Sequence, residues 1–124
     1  MKYIKTNEAP AAVGPYSQAV VSNGMIYCSG QIGIDANGNL AEGLEMQLQQ
    51  IMNNIKAVLR AEGSDLVHVV KTTLYLTDIS QFEVVNNIYG RYFSVSLPAR
   101  STVGVSSLPK GALIEIEVVA EVVA

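Results

Sequence analysis

The sequence predicts an α+β fold, a mixed sheet with two helices on one of its faces. Three observations carry this. Two segments place apolar residues at spacings of three and four. Several others are β-rich runs bounded by turn residues. The last such run is apolar on one face only, and two helices cover one face of a sheet.

Tyr3 to Lys5 reads as a short first strand, followed by a turn-rich segment from Ala9 to Tyr16 with two prolines and a glycine. Ser17–Ser22 and Met25–Ile34 are β-like runs joined at Asn23-Gly24, a hairpin signal because both residues tolerate φ > 0. A second turn follows at Asp35-Ala36-Asn37-Gly38. The first helix is expected over Gly43–Glu62, with Leu44, Leu48, Ile51, Ile55, Val58 and Leu59 on its apolar stripe and Gly63 as its stop. Val67–Thr77 reads as a strand. The second helix is expected from about Ser80 to Val95, with Ser80 and Glu83 as a capping box. Phe82, Val85, Tyr89 and Tyr92 form its stripe. Pro98 breaks the chain, and Arg100–Ser106 reads as another strand. After a turn at Leu108–Gly111, the last strand alternates. Its even positions from Ala112 to Val122 are all apolar, while its odd positions mix Glu115, Glu117 and Glu121 with Leu and Val.

With 124 residues the chain is expected to be one domain, residues 1–124. It is 49% hydrophobic with a mean hydropathy of +0.28, which excludes disorder. Only 15% of residues are charged, so part of the surface is expected to be buried between subunits. The net charge of −3 and scattered cations argue against nucleic acid as a partner. The N-terminus lacks the apolar stretch of a signal peptide, and Ala112–Ala124 is too short and too acidic to span a bilayer. The expectation is a soluble, cytoplasmic protein without membrane contact.

The usual catalytic constellations are sparse. His68 is the one histidine, which leaves no His-rich metal site and reads as a packed or surface residue. Cys28 alternates with Ile26, Gly30 and Ile32, so it reads as a buried, inert thiol on their face. Ser29–Gly33 lacks a P-loop lysine, and Asp35/Asn37 is too thin for calcium. No metal and no cofactor is expected. Arg100 and Glu115 remain. An arginine where the chain turns into a strand suits a carboxylate ligand, and a glutamate among apolar neighbours suits proton transfer. A structural ion pair between the two, or a glutamate in solvent, fits the same residues.

The chain resembles the RidA (YjgF/YER057c/UK114) family. The residues that carry the resemblance are Ala9–Ala19 (APAAVGPYSQA), Ser29-Gly30-Gln31-Ile32, Val70-Lys71-Thr72-Thr73, Val85-Asn86, Pro98-Ala99-Arg100-Ser101, Leu108-Pro109-Lys110 and Ile114-Glu115-Ile116-Glu117. Each piece is weak, but their order and spacing are specific. The resemblance implies a chorismate-mutase-like fold, a homotrimer with clefts between subunits, and cofactor-free hydrolysis of reactive 2-imino acids to 2-keto acids and ammonia. It implies that Arg100 binds the substrate carboxylate and Glu115 handles the attacking water. Tyr16, Ser29 and Asn86 would orient the substrate by hydrogen bonds, and Gly30 would offer its backbone. Thr102 stands where many members carry cysteine, so no thiol is required there, and it belongs to the pocket wall. The alternatives are a trimer that binds metabolites and regulates without catalysis, and a ribonuclease or translation inhibitor.

Overall fold

The strand Ile114–Glu121 (β7) is the hub of the sheet. Its even-numbered residues Ile114, Ile116, Val118 and Ala120 are at most 2% exposed, and its odd-numbered residues face the other way. The computed structural model describes residues 1–123. The other strands are β1 (Lys2–Ile4), β2 (Ala19–Ser22), β3 (Met25–Cys28), β4 (Gln31–Ile32), β5 (Val69–Leu76) and β6 (Ala99–Gly104). They lie in the order β1-β2-β3-β7-β5-β6, with β4 also paired to β7. All pairings are antiparallel except β5–β6, which are parallel because a helix crosses over between them.

Both helices pack on the even face of β7. Helix α1 (Gly43–Arg60) buries Leu48, Ile51, Ile55, Val58 and Leu59 of the predicted stripe, together with Met52, while the first member, Leu44, is only half-buried. Each of the buried side chains contributes roughly 1.5–3 kcal/mol by leaving water. Gly63 ends the helix as expected. Its φ is +76°, and the amides of Gly63 and Ser64 bond back to Arg60 and Leu59. The hairpin turn at Asn23-Gly24 has φ of 50° and 78°, as its sequence requires.

Helix α2 (Phe82–Tyr92) departs from its prediction at both ends. Ser80 is not its cap. The Asp78 carboxylate accepts from the Ser80 amide at 3.0 Å and from its hydroxyl at 2.6 Å, and this caps a 3₁₀ turn over Ile79–Gln81 that feeds the helix. The helix stops at Tyr92, and the loop that follows exposes Val95 and Leu97.

The run Met25–Ile34 is not one strand. Tyr27 pairs with Val119 but Gln31 pairs with Ile116, so four steps on one side match three on the other. This is a β-bulge at residues 28–30, and it inverts the alternation. Ile26 and Cys28 face the core, as expected of Cys28, but Ile32 turns to the opposite face beside Glu115. Burial pushes the Cys28 thiol up to about 12, which leaves it inert at neutral pH.

Buried amides tie irregular segments to this frame. Gln47 donates to the Ala41 carbonyl and accepts from the Leu113 amide. Asn54 donates to the carbonyl of Ile34 at 2.8 Å. Gln18, 4% exposed, accepts from the Thr6 amide and donates to the carbonyls of Thr6 and Pro10. Among the described residues, no helix is long and apolar enough to cross a membrane.

Candidate active site

Glu115 lies on the odd, helix-free face of β7, with Tyr75 opposite it on β5 and Ile32 opposite it on β4. The bulge brings Gly30 directly against it. A Cβ on Gly30 would stand 2.9 Å from Glu115 Cδ, so only glycine permits this approach. Glu115 closes one end of a cavity of about 350 Å³ whose wall includes Ala12, Val13, Tyr16, Ile32 and Pro109. The Gln18 side chain holds the segment that supplies this wall. Burial, and secondarily the charge of Glu117, holds the Glu115 carboxyl above its ordinary pKa. Ser29 does not point its hydroxyl into the cavity. It donates to the Ser17 carbonyl and shapes the site by fixing the chain next to Tyr16.

Arg100 belongs to the other face. In the parallel register it pairs with Thr72, whose side chain is buried in the core under the helices, and Thr102 pairs with buried Leu74. The guanidinium of Arg100 lies 5.4 Å from the ring centroid of Phe82 and 5.0 Å from that of Tyr89. Cation–π attraction holds it there. Tyr89 is fixed in turn by a 2.8 Å hydrogen bond between its hydroxyl and that of Thr72. Asn86 stands on the helix face of Phe82 and Tyr89, at spacings of four and three. Asn86 Oδ1 and Thr102 Oγ1 are buried without a hydrogen-bond partner. Such groups cost about 1–3 kcal/mol each unless something binds them. Among the described residues no carboxylate pairs with Arg100.

The predicted residues therefore fall into two groups. Tyr16, Gly30 and Glu115 converge on one face of the sheet, with Ser29 behind them. Asn86, Arg100 and Thr102 converge at the edge of the other. The opposite faces exclude an ion pair between Arg100 and Glu115 within one chain. His68 ends a 3₁₀ turn capped by Asp65 and joins neither group. Among the described residues, no cluster of His, Cys, Asp and Glu has metal-site geometry. The aromatic seat of Arg100 is absent from the sequence reading, which assigns Phe82 and Tyr89 to a core stripe. Their helical spacing to Asn86 is the signal that connects them to the site.

A family profile described as Endoribonuclease L-PSP matches residues 6–122. The chain belongs to this family, which is the RidA/YjgF family. It is 48% identical to the human protein named 2-iminobutanoate/2-iminopropanoate deaminase, over 96% of this chain and 88% of that one. It is 49% identical to a Lactococcus lactis protein named "Putative regulator AldR", over 98% of each. The crystal structure of RidA from an Antarctic Psychrobacter superposes with a TM-score of 0.94 at 44% identity, covering 98% of this chain and 99% of that one.

Proposed function

We propose that this protein hydrolyses reactive 2-imino acids to 2-keto acids and ammonia as a homotrimer of chorismate-mutase-like subunits. Each site combines the Glu115 group of one copy with the Arg100 group of its neighbour. The observation that carries this reading is the seat of Arg100: a cation without a carboxylate partner, backed by two rings and flanked by an unpartnered amide oxygen and an unpartnered hydroxyl. A substrate with a carboxylate and an N–H answers both needs. Relatives named as imine deaminases support it.

In this reading Arg100 grips the carboxylate with two parallel hydrogen bonds. Asn86 Oδ1 accepts from the imine N–H. Water adds to the imine carbon to form a carbinolamine, Glu115 moves a proton from oxygen to nitrogen, and the C–N bond breaks to release ammonia. The product is the 2-keto acid. Orientation and fixed charge supply most of the acceleration, since no covalent intermediate is involved. Residence in the cytoplasm, where such imines arise, fits a chain with one cysteine.

The name of the Lactococcus relative favours a second reading, a regulatory trimer that binds the same ligands. Binding alone needs Arg100 but no proton-transfer group. The acid excess of the chain disfavours a ribonuclease. The test is a coupled assay. Imines are generated with an amino-acid oxidase or a serine dehydratase, and keto-acid release is followed with and without the protein. Acceleration that Glu115→Ala abolishes while ligand affinity persists supports the enzyme. No acceleration across several imines, with the oligomer intact, supports the regulator.

A further inference from the structure

Glu115 shares its face of β7 with Glu117, two residues along. Tyr75 faces Glu115 directly across the β5–β7 ladder, yet its hydroxyl donates to the carboxylate of Glu117. A phenol that donates to a carboxylate favours the ionised form and fixes its direction. The phenol itself is held above its ordinary pKa, first by that bond to Glu117 and then by burial, so it remains a donor. The two carboxyls thus have unequal surroundings: Glu117 has a dedicated donor, whereas Glu115 lies against Gly30 and Ile32.

Few other charges of the same chain face Glu115, and in the proposed trimer the Arg100 of a neighbouring copy faces it across the shared site. β4 presents Ile32, the segment before β2 presents Tyr16, and the turn over 109–111 presents Lys110 at the cavity wall. On β5 the Lys71 ammonium donates to Ser101 Oγ at 2.9 Å. Among the described residues no cation forms an ion pair with Glu115. Arg100 of the same chain is on the other face.

We propose that Glu117, pinned by the Tyr75 hydroxyl, is a positioning residue that assigns the proton of this carboxylate pair to Glu115. The inference rests on the deaminase reading for its purpose. The member of the pair beside the cavity is then the one that carries a proton to the imine nitrogen. The direction of the Glu115 shift, upward from burial and from the charge of Glu117, agrees with this assignment. Pairs of carboxyls with unequal surroundings divide acid and base roles in this way.

The experiment is a carboxyl ¹³C NMR titration of the glutamates in the intact oligomer, for wild type, Glu117→Gln and Tyr75→Phe. Glutamine keeps an acceptor for Tyr75 and removes the charge. In wild type Glu115 is expected to hold its proton above the ordinary carboxyl range. In Glu117→Gln the Glu115 midpoint is expected to fall, and the limb of the kcat/KM pH profile that it governs to move down with it. Tyr75→Phe releases the Glu117 carboxylate from its fixed direction, and the Glu115 midpoint is expected to fall. An unmoved Glu115 midpoint in Glu117→Gln overturns the proposal even if imines are turned over. A midpoint that falls in a protein without imine turnover supports the proton assignment and rejects the deaminase reading instead.

Discussion

Arg100 and Glu115 project from opposite faces of one sheet, Arg100 in register with buried Thr72 and Glu115 in register with Tyr75 on the open side. A ligand that meets both must therefore bridge two copies of the chain. Mixing two inactive variants tests this. Arg100→Ala and Glu115→Ala chains, refolded together in equal amounts, should regain about a quarter of wild-type activity. In the proposed trimer most random assemblies are mixed, and each mixed one holds one site with both groups intact. Activity that stays at the level of the separate variants, with mixed trimers present, rejects the shared site.

Arg100→Lys should fail nearly as badly as Arg100→Ala. Lysine keeps the charge but loses the planar fork and the fit between two rings. With charge-assisted hydrogen bonds worth about 1.5–3 kcal/mol, the expected fall in kcat/KM is on the order of 100-fold for every imine tested. Retention of near wild-type kcat/KM by the lysine variant removes the bidentate role.

The seat of Arg100 is separable from Arg100 itself. Tyr89→Leu deletes one ring, and a cation–π contact of about 0.5–2 kcal/mol predicts a rise in KM of about 2- to 30-fold. Tyr89→Phe keeps the ring and loses only the link to Thr72. It should stay close to wild type in KM while melting at a lower temperature. Equal kinetic effects from the two variants would falsify the ring's part in holding the guanidinium.

Glu115 should weaken the fold as pH rises. Its carboxyl pKa is raised above the ordinary value of 4.5, so the folded state binds a proton more readily than the unfolded chain. The associated stability is fully present below the ordinary value and is lost as pH climbs through the folded one. Glu115→Gln, which carries no charge to desolvate, is therefore expected to melt above wild type at pH 8. At pH 4 the two should converge. Thermal melts at both pH values decide it, and a difference independent of pH contradicts the sign.

Gly30 tests the geometry of the bulge. An alanine there would place its Cβ 2.9 Å from Glu115 Cδ and displace the carboxyl. Displacements of about 1 Å cost on the order of 100-fold in rate. Gly30→Ala should therefore lose most activity while its oligomeric state and circular dichroism stay unchanged. An active variant would show that the position of Glu115 is not critical.

Much of the architecture is legible in the residues because periodicity is a local signal. The period-two pattern of Ile114–Glu121 and the helical stripe of Gly43–Arg60 reappear as one buried face each. The signals that mislead are also local. Ser80 and Glu83 have capping-box spacing, but Asp78 captures the Ser80 amide first. The alternation through Met25–Ile34 reads as continuous because a bulge adds a residue without altering composition. Tyr16, Gly30 and Glu115 are identifiable individually, and so are Asn86, Arg100 and Thr102. Their separation onto two faces follows only from strand register, which depends on partners distant in the chain.

The part of the Glu115 cavity wall that runs from Pro10 to Tyr16 has no ladder of its own. The stretch that leads into it, residues 6–10, is tied to the sheet through the Gln18 side chain. One amide group therefore acts as a latch, and the wall can open while the strands remain shut. Warming should uncouple the two. Amide hydrogens of the wall would exchange long before those of β7, and a sample that still passes every test of foldedness would already have lost its chemistry.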